Sequence, residues 1–169
     1  MKRLTLLRHA KSGDDHAVAR DFDRPLNAKG RRAARAIGRH MRDAALHFDI
    51  VLASPAARVV ETLQEVEAGY GGGLSPRWER RIYLATPHEL LEVVHGAPES
   101  AESLLVVGHN PGLEDLAKQL AGSGSEAKAH KRLEEKFPTA ALARFVFDSE
   151  WSGLSVARLT HCLRPKDLN

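Results

Sequence analysis

Three apolar runs in this chain each end in residues suited to holding or attacking an oxyanion. Leu4-Thr5-Leu6-Leu7 leads straight into Arg8-His9-Ala10. Ile50-Val51-Leu52-Ala53 is followed by Ser54-Pro55, with Arg58 just beyond, and Leu104-Leu105-Val106-Val107 leads to Gly108-His109-Asn110-Pro111. An arginine keeps its charge and offers a planar fork of N–H donors that matches a phosphate. A histidine offers one ring nitrogen for attack while the other fixes its orientation. Together these residues describe a metal-free site for a phosphoryl group. Arg8 and Arg58 would clamp its oxygens, and His9 would attack phosphorus. His109, protonated or donating, would stabilise charge growing in the transition state, and water would open the phosphohistidine. The two arginines beside His9 oppose its protonation, which keeps the attacking nitrogen free.

Other chemistries fit less well. The chain has no Gly-x-Ser-x-Gly for a serine hydrolase, no His-Glu-x-x-His, and no Cys/His pair at zinc-ligand spacing. Gly69-Tyr70-Gly71-Gly72-Gly73 lacks the Gly-Lys-Ser/Thr ending of a phosphate-binding loop and reads as a helix stop. Ser54 before Pro55 reads as a helix cap followed by a first-turn proline.

The elements that must position these residues follow from periodicity. Leu4 to Leu7, Phe48 to Ala53 and Leu104 to Val107 read as strands. Asn27 caps a helix with Ala33, Ala34, Ile37, Met41 and Ala45 at helical spacing, and Val59, Leu63 and Val66 mark a second helix. Thr86-Pro87 opens a third, with Leu90, Leu91 and Val94. Leu113, Leu116, Ala117 and Leu120 form the buried stripe of a fourth. Trp78 to Leu84 reads as a short strand, and Gly122 to Lys136 as a polar loop with some helix. Ala141 to Phe147 and Leu154 to Thr160 read as two strands around a turn, hairpin-like. Strands alternating with helices argue an α/β sandwich with a mostly parallel sheet, in which ligands bind beyond the carboxyl ends of the strands near helix N-termini.

Size and composition fit one domain spanning residues 1–169, with a core of Leu, Val, Ile and Ala because aromatics are only 5%. A net charge of +3 suits anionic substrates but is too small to argue a nucleic-acid partner. The single Cys162 fits a reducing compartment. The four apolar residues before Arg8 are too few for a signal-peptide core, and no apolar run is long enough for a membrane span. The expectation is a cytoplasmic protein without a membrane partner. Arg31, Arg32, Arg35 and Arg39 read as a solvated helix face, with docking of an acidic partner as the alternative.

These motifs together resemble the histidine phosphatase (phosphoglycerate mutase-like) superfamily. Leu7-Arg8-His9-Ala10-Lys11-Ser12 is similar to its Arg-His-Gly signature, Ser54-Pro55 with Arg58, Glu61 and Thr62 to its second arginine motif, and Gly108-His109-Asn110-Pro111-Gly112 to its second histidine motif. Asp23-Arg24-Pro25-Leu26-Asn27 with Gly30, and Phe137-Pro138-Thr139-Ala140, resemble more narrowly the SixA-type phosphohistidine phosphatases. The resemblance implies a three-layer α/β/α fold, a catalytic core of Arg8, His9, Arg58 and His109, and no cofactor. Ser12, Asn110 and Thr139 are candidate phosphate contacts. Ala10 stands where the superfamily commonly has glycine, which fits if the backbone there has negative φ.

Larger members carry a carboxylic acid that protonates the leaving group. Here Glu79, Glu89 and Asp115 are candidates, each better read as a surface carboxylate. An alkoxide leaving group needs that proton, whereas the imidazole of a phosphohistidine leaves more easily. The expected substrate is therefore phosphohistidine on a protein, such as a histidine-phosphotransfer domain. The alternatives are a phosphatase of small phosphorylated metabolites and a non-catalytic phosphate-binding module. His16 and His130 lie in polar segments that would border the pocket, while His40, His47, His88, His95 and His161 read as surface or helix-end residues.

Overall fold

The computed structural model describes residues 1–13 and 20–168. Its elements are β1 (Lys2–Arg8), α1 (Ala28–Asp43), β2 (Ile50–Ala53), α2 (Ala57–Tyr70), β3 (Arg77–Trp78) and α3 (Pro87–His95). They are followed by β4 (Ser103–Gly108), α4 (Gly112–Leu120), α5 (Ala127–Glu135), β5 (Leu142–Phe147) and β6 (Arg158–Leu163). The six strands form one sheet in the order β3-β2-β4-β1-β5-β6. All neighbours are parallel from β3 to β1, β5 is antiparallel to both β1 and β6, and only β5 therefore runs against the rest.

Side chains alternate across each strand, so the apolar runs feed two cores. Leu4, Leu6, Leu104 and Val106 pack with Leu90, Leu113, Leu116, Leu133 and Trp151 on the side of α3, α4 and α5. Leu7, Leu105, Val107 and Val51 pack with Ile37, Met41, Val59 and Leu63 on the side of α1 and α2. Every residue of β4 is buried, as a central parallel strand covered on both faces must be. The α/β/α layering follows.

Several element ends agree with the sequence. The Asn27 side chain accepts from Gly30 N, Thr86 and Glu89 form a capping box ahead of Pro87, and α2 ends at Gly71 with φ of 86°. Arg31 and Arg35 reach Glu61 and Glu65, so part of the arginine face of α1 ties it to α2. Other ends differ. Helix α2 begins at Ala57 with Ala56 as an uncapped N-cap, and Ser54 is not its cap. Only Arg77–Trp78 pairs as a strand. The chain then makes a single 3-10 turn, Arg80–Ile82, that redirects it towards the active end of the sheet. Within the expected loop of 122–136, α5 forms because the Glu126 side chain caps Lys128 N and Ala129 N while Ala129 and Leu133 bury one face. Strand β6 starts at Arg158, since Trp151–Gly153 is a 3-10 turn whose Trp151 fills the core.

Candidate active site

Strand register brings the two histidines together. Arg8 pairs with Gly108 across β1 and β4, so His9 and His109 each lie one residue beyond the same rung, and their ring centroids are 5.3 Å apart. Ala53 pairs with Val107 across β2 and β4, and Ser54 N donates to Val107 O at 3.1 Å, which places Ser54 on the same rim. The fourth wall comes from β5, since Arg8 N donates to Ala141 O and Ala140 N to His9 O, drawing the segment Phe137–Ala140 against the end of β1.

Two glycines let flanking segments close in. A Cβ at Gly30 would sit 2.1 Å from Lys11 O, so the chain leaving His9 can run against the start of α1 only because position 30 is bare. A Cβ at Gly112 would sit 2.1 Å from Ala85 O, and its absence lets α4 press on the turn that carries Tyr83.

The tautomer of His9 follows from its partners. Nδ1 lies 2.7 Å from Ala10 O, and a carbonyl only accepts, so Nδ1 carries the proton. Nε2 then presents a lone pair, which receives Arg58 Nε–H at 3.4 Å. The His9 pKa is lowered to about 4, with burial the largest cause and the charges of Arg58, Arg8 and Arg24 acting in the same direction against the raising effect of the Ala10 bond. The arginines do oppose protonation, as the sequence suggests, but desolvation is the larger cause. Ala10 is buried, has no positive φ, and donates its N–H to Thr62 Oγ1, which in turn donates to Arg58 O.

His109 Nε2 is 2.8 Å from Ser54 Oγ, and its buried Nδ1 has no hydrogen-bond partner among the described residues. Burial, then Arg58, hold its pKa down at about 3. His109 is therefore neutral at pH 7. A neutral ring can meet an anion only as an N–H donor, which here requires Ser54 to donate to Nε2 and the proton to sit on Nδ1. That hydroxyl also accepts from Ala56 N, so Ser54 orients His109 instead of capping a helix.

The cations converge on the same point. The Arg58 side chain is only 5% exposed, and its Nη1 and Nη2 donate to Asp21 O at 2.9 Å and Asp21 Oδ2 at 3.0 Å. Tyr83 Oη donates to the same carboxylate oxygen at 2.7 Å, and the Tyr83 ring stands edge-on to His109 with centroids 5.4 Å apart. Arg8 Nη1 donates to Phe137 O at 3.3 Å; among the described residues the buried Nε of Arg8 and of Arg24 makes no hydrogen bond, though Arg24 Nε lies 3.7 Å from Asp21 Oδ1. Asp21, Arg24 and Tyr83 are site residues that motif reading leaves unassigned. Arg24 falls in the Asp23-Arg24-Pro25-Leu26-Asn27 motif, Asp21 is marked in the sequence only by the charged stretch Arg20 to Arg24, and Tyr83 carries no local signal.

Among the candidate phosphate contacts, Asn110 is already engaged. Its Nδ2 donates to Phe137 O and to Glu114 Oε1, and its Oδ1 accepts from Glu114 N. Its amide braces the Phe137 segment instead of facing an open site. Ser12 pairs with Leu26 in an isolated bridge and has a buried Oγ without a hydrogen-bond partner among the described residues, while Thr139 is half-buried in the segment beside His9. The three acid candidates point elsewhere. Glu79 pairs with Arg81, Glu89 closes the capping box, and Asp115 is exposed on α4. His130 is exposed on α5 beside Glu134, and His16 lies outside the described residues. Among the described residues no three His, Cys, Asp or Glu side chains gather as a metal site.

The profile described as the histidine phosphatase superfamily (branch 1) matches residues 4–82, the stretch carrying Arg8, His9 and Arg58. A candidate phosphohistidine phosphatase SixA from Nakamurella multipartitia superposes on the whole fold with a TM-score of 0.84 at 30% identity, covering 97% of this chain and 96% of that one. This chain belongs to the histidine phosphatase superfamily. Within the superfamily its likeness is to the SixA type. A second candidate phosphohistidine phosphatase SixA, from Agrobacterium tumefaciens, gives a TM-score of 0.81 at 31% identity over 97% and 98% of the two chains. In sequence, an uncharacterized protein of Mycobacterium tuberculosis is 37% identical over 147 residues, 86% of this chain and 90% of that protein. The superfamily fold also serves a mycobacterial glucosyl-3-phosphoglycerate phosphatase, which is 14% identical with a TM-score of 0.62 over 94% and 97% of the chains. Fold alone therefore does not choose the substrate. No described helix is long and apolar enough to cross a membrane.

Proposed function

We propose that the protein is a phosphatase that works through a phosphohistidine on His9 and removes phosphate from phosphohistidine on proteins. The observation that carries this reading is the unprotonated Nε2 of His9, fixed by the Nδ1–H bond to Ala10 O and facing Arg58. Such a nitrogen attacks phosphorus without first losing a proton. The P–Nε2 bond forms as the bond to the leaving group breaks, and Arg8, Arg58 and Arg24 offset the charge on the phosphoryl oxygens. His109 donates to one of those oxygens, and Ser54 holds it in that orientation. A water then attacks phosphorus, the P–Nε2 bond breaks, and inorganic phosphate leaves with His9 restored. Neither a metal nor an organic cofactor has a part in this scheme.

Substrate preference follows from the carboxylates. Burial pushes the Asp21 pKa up, but the Tyr83 hydroxyl, Arg58 and Arg24 outweigh it and hold the group below the usual carboxylate range. Asp21 is thus ionised at neutral pH and has no proton to give an alkoxide. An imidazole leaving group needs that help least, and losing general-acid assistance costs about 10²–10⁴ in rate.

The test is a panel of a phosphohistidine protein, a phosphoserine peptide and sugar phosphates, run with wild type and His9→Ala. The expected outcome is phosphohistidine turned over at least about 10²-fold faster than phosphoserine. An acid-labile, base-stable phosphoenzyme should form in wild type and be missing in His9→Ala. Equal rates on phosphoserine and phosphohistidine would refute the substrate assignment, and preference for a sugar phosphate would move it to small metabolites. Phosphate binding by a wild type that turns over nothing would leave a binding module.

A further inference from the structure

We infer that Asp21 is a positioning residue: it grips the far end of the Arg58 guanidinium so that the Nε side of that group faces the phosphoryl group on its way to His9. The inference rests on the phosphatase reading above. A guanidinium has five N–H donors on three nitrogens, and which edge it shows a ligand depends on what holds the others. In Arg58 both terminal nitrogens are anchored on one residue, through the Asp21 carbonyl at 2.9 Å and its carboxylate at 3.0 Å, while Nε points to His9 Nε2. Among the described residues, one N–H on each terminal nitrogen stays uncommitted. A phosphoryl group arriving at His9 is then met by Nε–H and the free N–H on that side, a parallel pair.

Asp21 is itself held. Tyr83 Oη donates to the same Oδ2 at 2.7 Å, and the Tyr83 ring is wedged between Phe22, centroids 5.1 Å apart, and His109. Three separate parts of the chain thus meet on one carboxylate: the turn before α1, the start of α2, and the turn after β3. The carboxylate also subtracts a charge from the site. Removing it should make the resting site more attractive to an anion while leaving Arg58 held only through Nη1 on the Asp21 carbonyl, and so freer to turn. Ground-state affinity and turnover should then move in opposite directions, as expected when orientation and not attraction is lost.

The experiment compares wild type, Asp21→Asn, Asp21→Ala and Tyr83→Phe. It measures kcat and KM on a phosphohistidine protein and on p-nitrophenyl phosphate, and the affinity for inorganic phosphate by calorimetry. For Asp21→Asn the expected result is a kcat lower by roughly 10- to 100-fold on both substrates, with inorganic phosphate bound as tightly as in wild type or more tightly. Asp21→Ala should lose more turnover than Asp21→Asn, which keeps one acceptor oxygen. Tyr83→Phe should shift in the same direction by less, with Arg58 and its charge intact. A rise in kcat with tighter phosphate would mean the carboxylate merely competes with substrate, overturning the inference. A parallel loss of kcat, phosphate affinity and melting temperature would reduce Asp21 to a structural tie. A loss confined to the poorer leaving group would make it a proton donor. An inactive wild type would remove the phosphatase reading and this inference with it. An active wild type with an indifferent Asp21→Asn would remove this inference alone.

Discussion

At the scale of single residues, the site depends on which ring nitrogen is free and whether it stays free. His9 and His109 are neutral because they are buried, and the surrounding guanidinium groups add to that effect. Nitrogen-detected NMR of the His9 ring should therefore show one tautomer, protonated on Nδ1, with no titration between pH 8 and pH 5. A midpoint close to the ordinary histidine value of about 6.5 would contradict this account of the nucleophile. Thr62, Ser54 and Asn110 show a related division of labour. Each spends its polar atoms on a neighbour that must be held still: the backbone at Ala10, the His109 ring, and the Phe137 segment. Cys162 takes no part, as burial pushes its thiol up to about 11.

At the scale of elements, the site is assembled where the ends of β1, β2 and β4 meet the starts of α1, α2 and α4, and close backbone approach sets the tolerances. Gly30 shows how. Replacing a helix-interior glycine by alanine ordinarily gains about 1 kcal/mol of helix propensity. Here the new Cβ would fall 2.1 Å from Lys11 O, a backbone atom that cannot rotate away, so steric cost should win. Gly30→Ala is expected to lower stability by roughly 1–3 kcal/mol. It should also cut kcat/KM by displacing the segment that follows His9. Asn27→Ala is the control. It removes the N-cap bond to Gly30 N and should cost about 1 kcal/mol while leaving kcat near wild type. Thermal melting and steady-state kinetics on the pair separate helix stability from site geometry. If Gly30→Ala were as active and stable as wild type, the close approach would not matter.

For the whole molecule, the two buried imidazoles tie folding to pH. Each is held near 3 or 4 in the folded chain and returns to about 6.5 on unfolding. Between those values the unfolded chain binds more protons, so stability falls as pH drops from 6.5 towards 4 and levels off below the folded values. One histidine held at about 4 contributes roughly 3 kcal/mol to that slope. Denaturant titrations from pH 8 to pH 4 should show the loss, and His9→Gln should flatten it. A slope unchanged in His9→Gln would show that other groups dominate acid unfolding. The basic balance of +3 acts at longer range, favouring approach of anionic substrates without selecting among them.

Much of this protein was legible in its sequence, for reasons that can be named. The unbroken apolar runs Leu4–Leu7 and Leu104–Val107 require strands covered on both faces, and the i, i+3, i+4 stripes of α1, α2 and α4 supply the covers. Arg8, His9 and His109 stand at or just past the ends of such runs, so their neighbourhood follows from strand direction, while Arg58 is carried there by the first turn of α2. What the sequence did not reveal involves charged or short segments whose local signal is weak. These include the bounds of α5, where the sequence suggested only some helix in a polar stretch, the turn that swings Tyr83 inward, and Asp21 in a run of alternating charges. The role of Ser54 was misread because a serine before proline has a local explanation, whereas its actual partner, His109, is 55 residues away just past β4. Local pattern specifies what each segment buries and thus which ends share a rim. Which hydroxyl steadies which ring, and which carboxylate grips which guanidinium, depends on contacts between distant segments, which form only once both cores have closed.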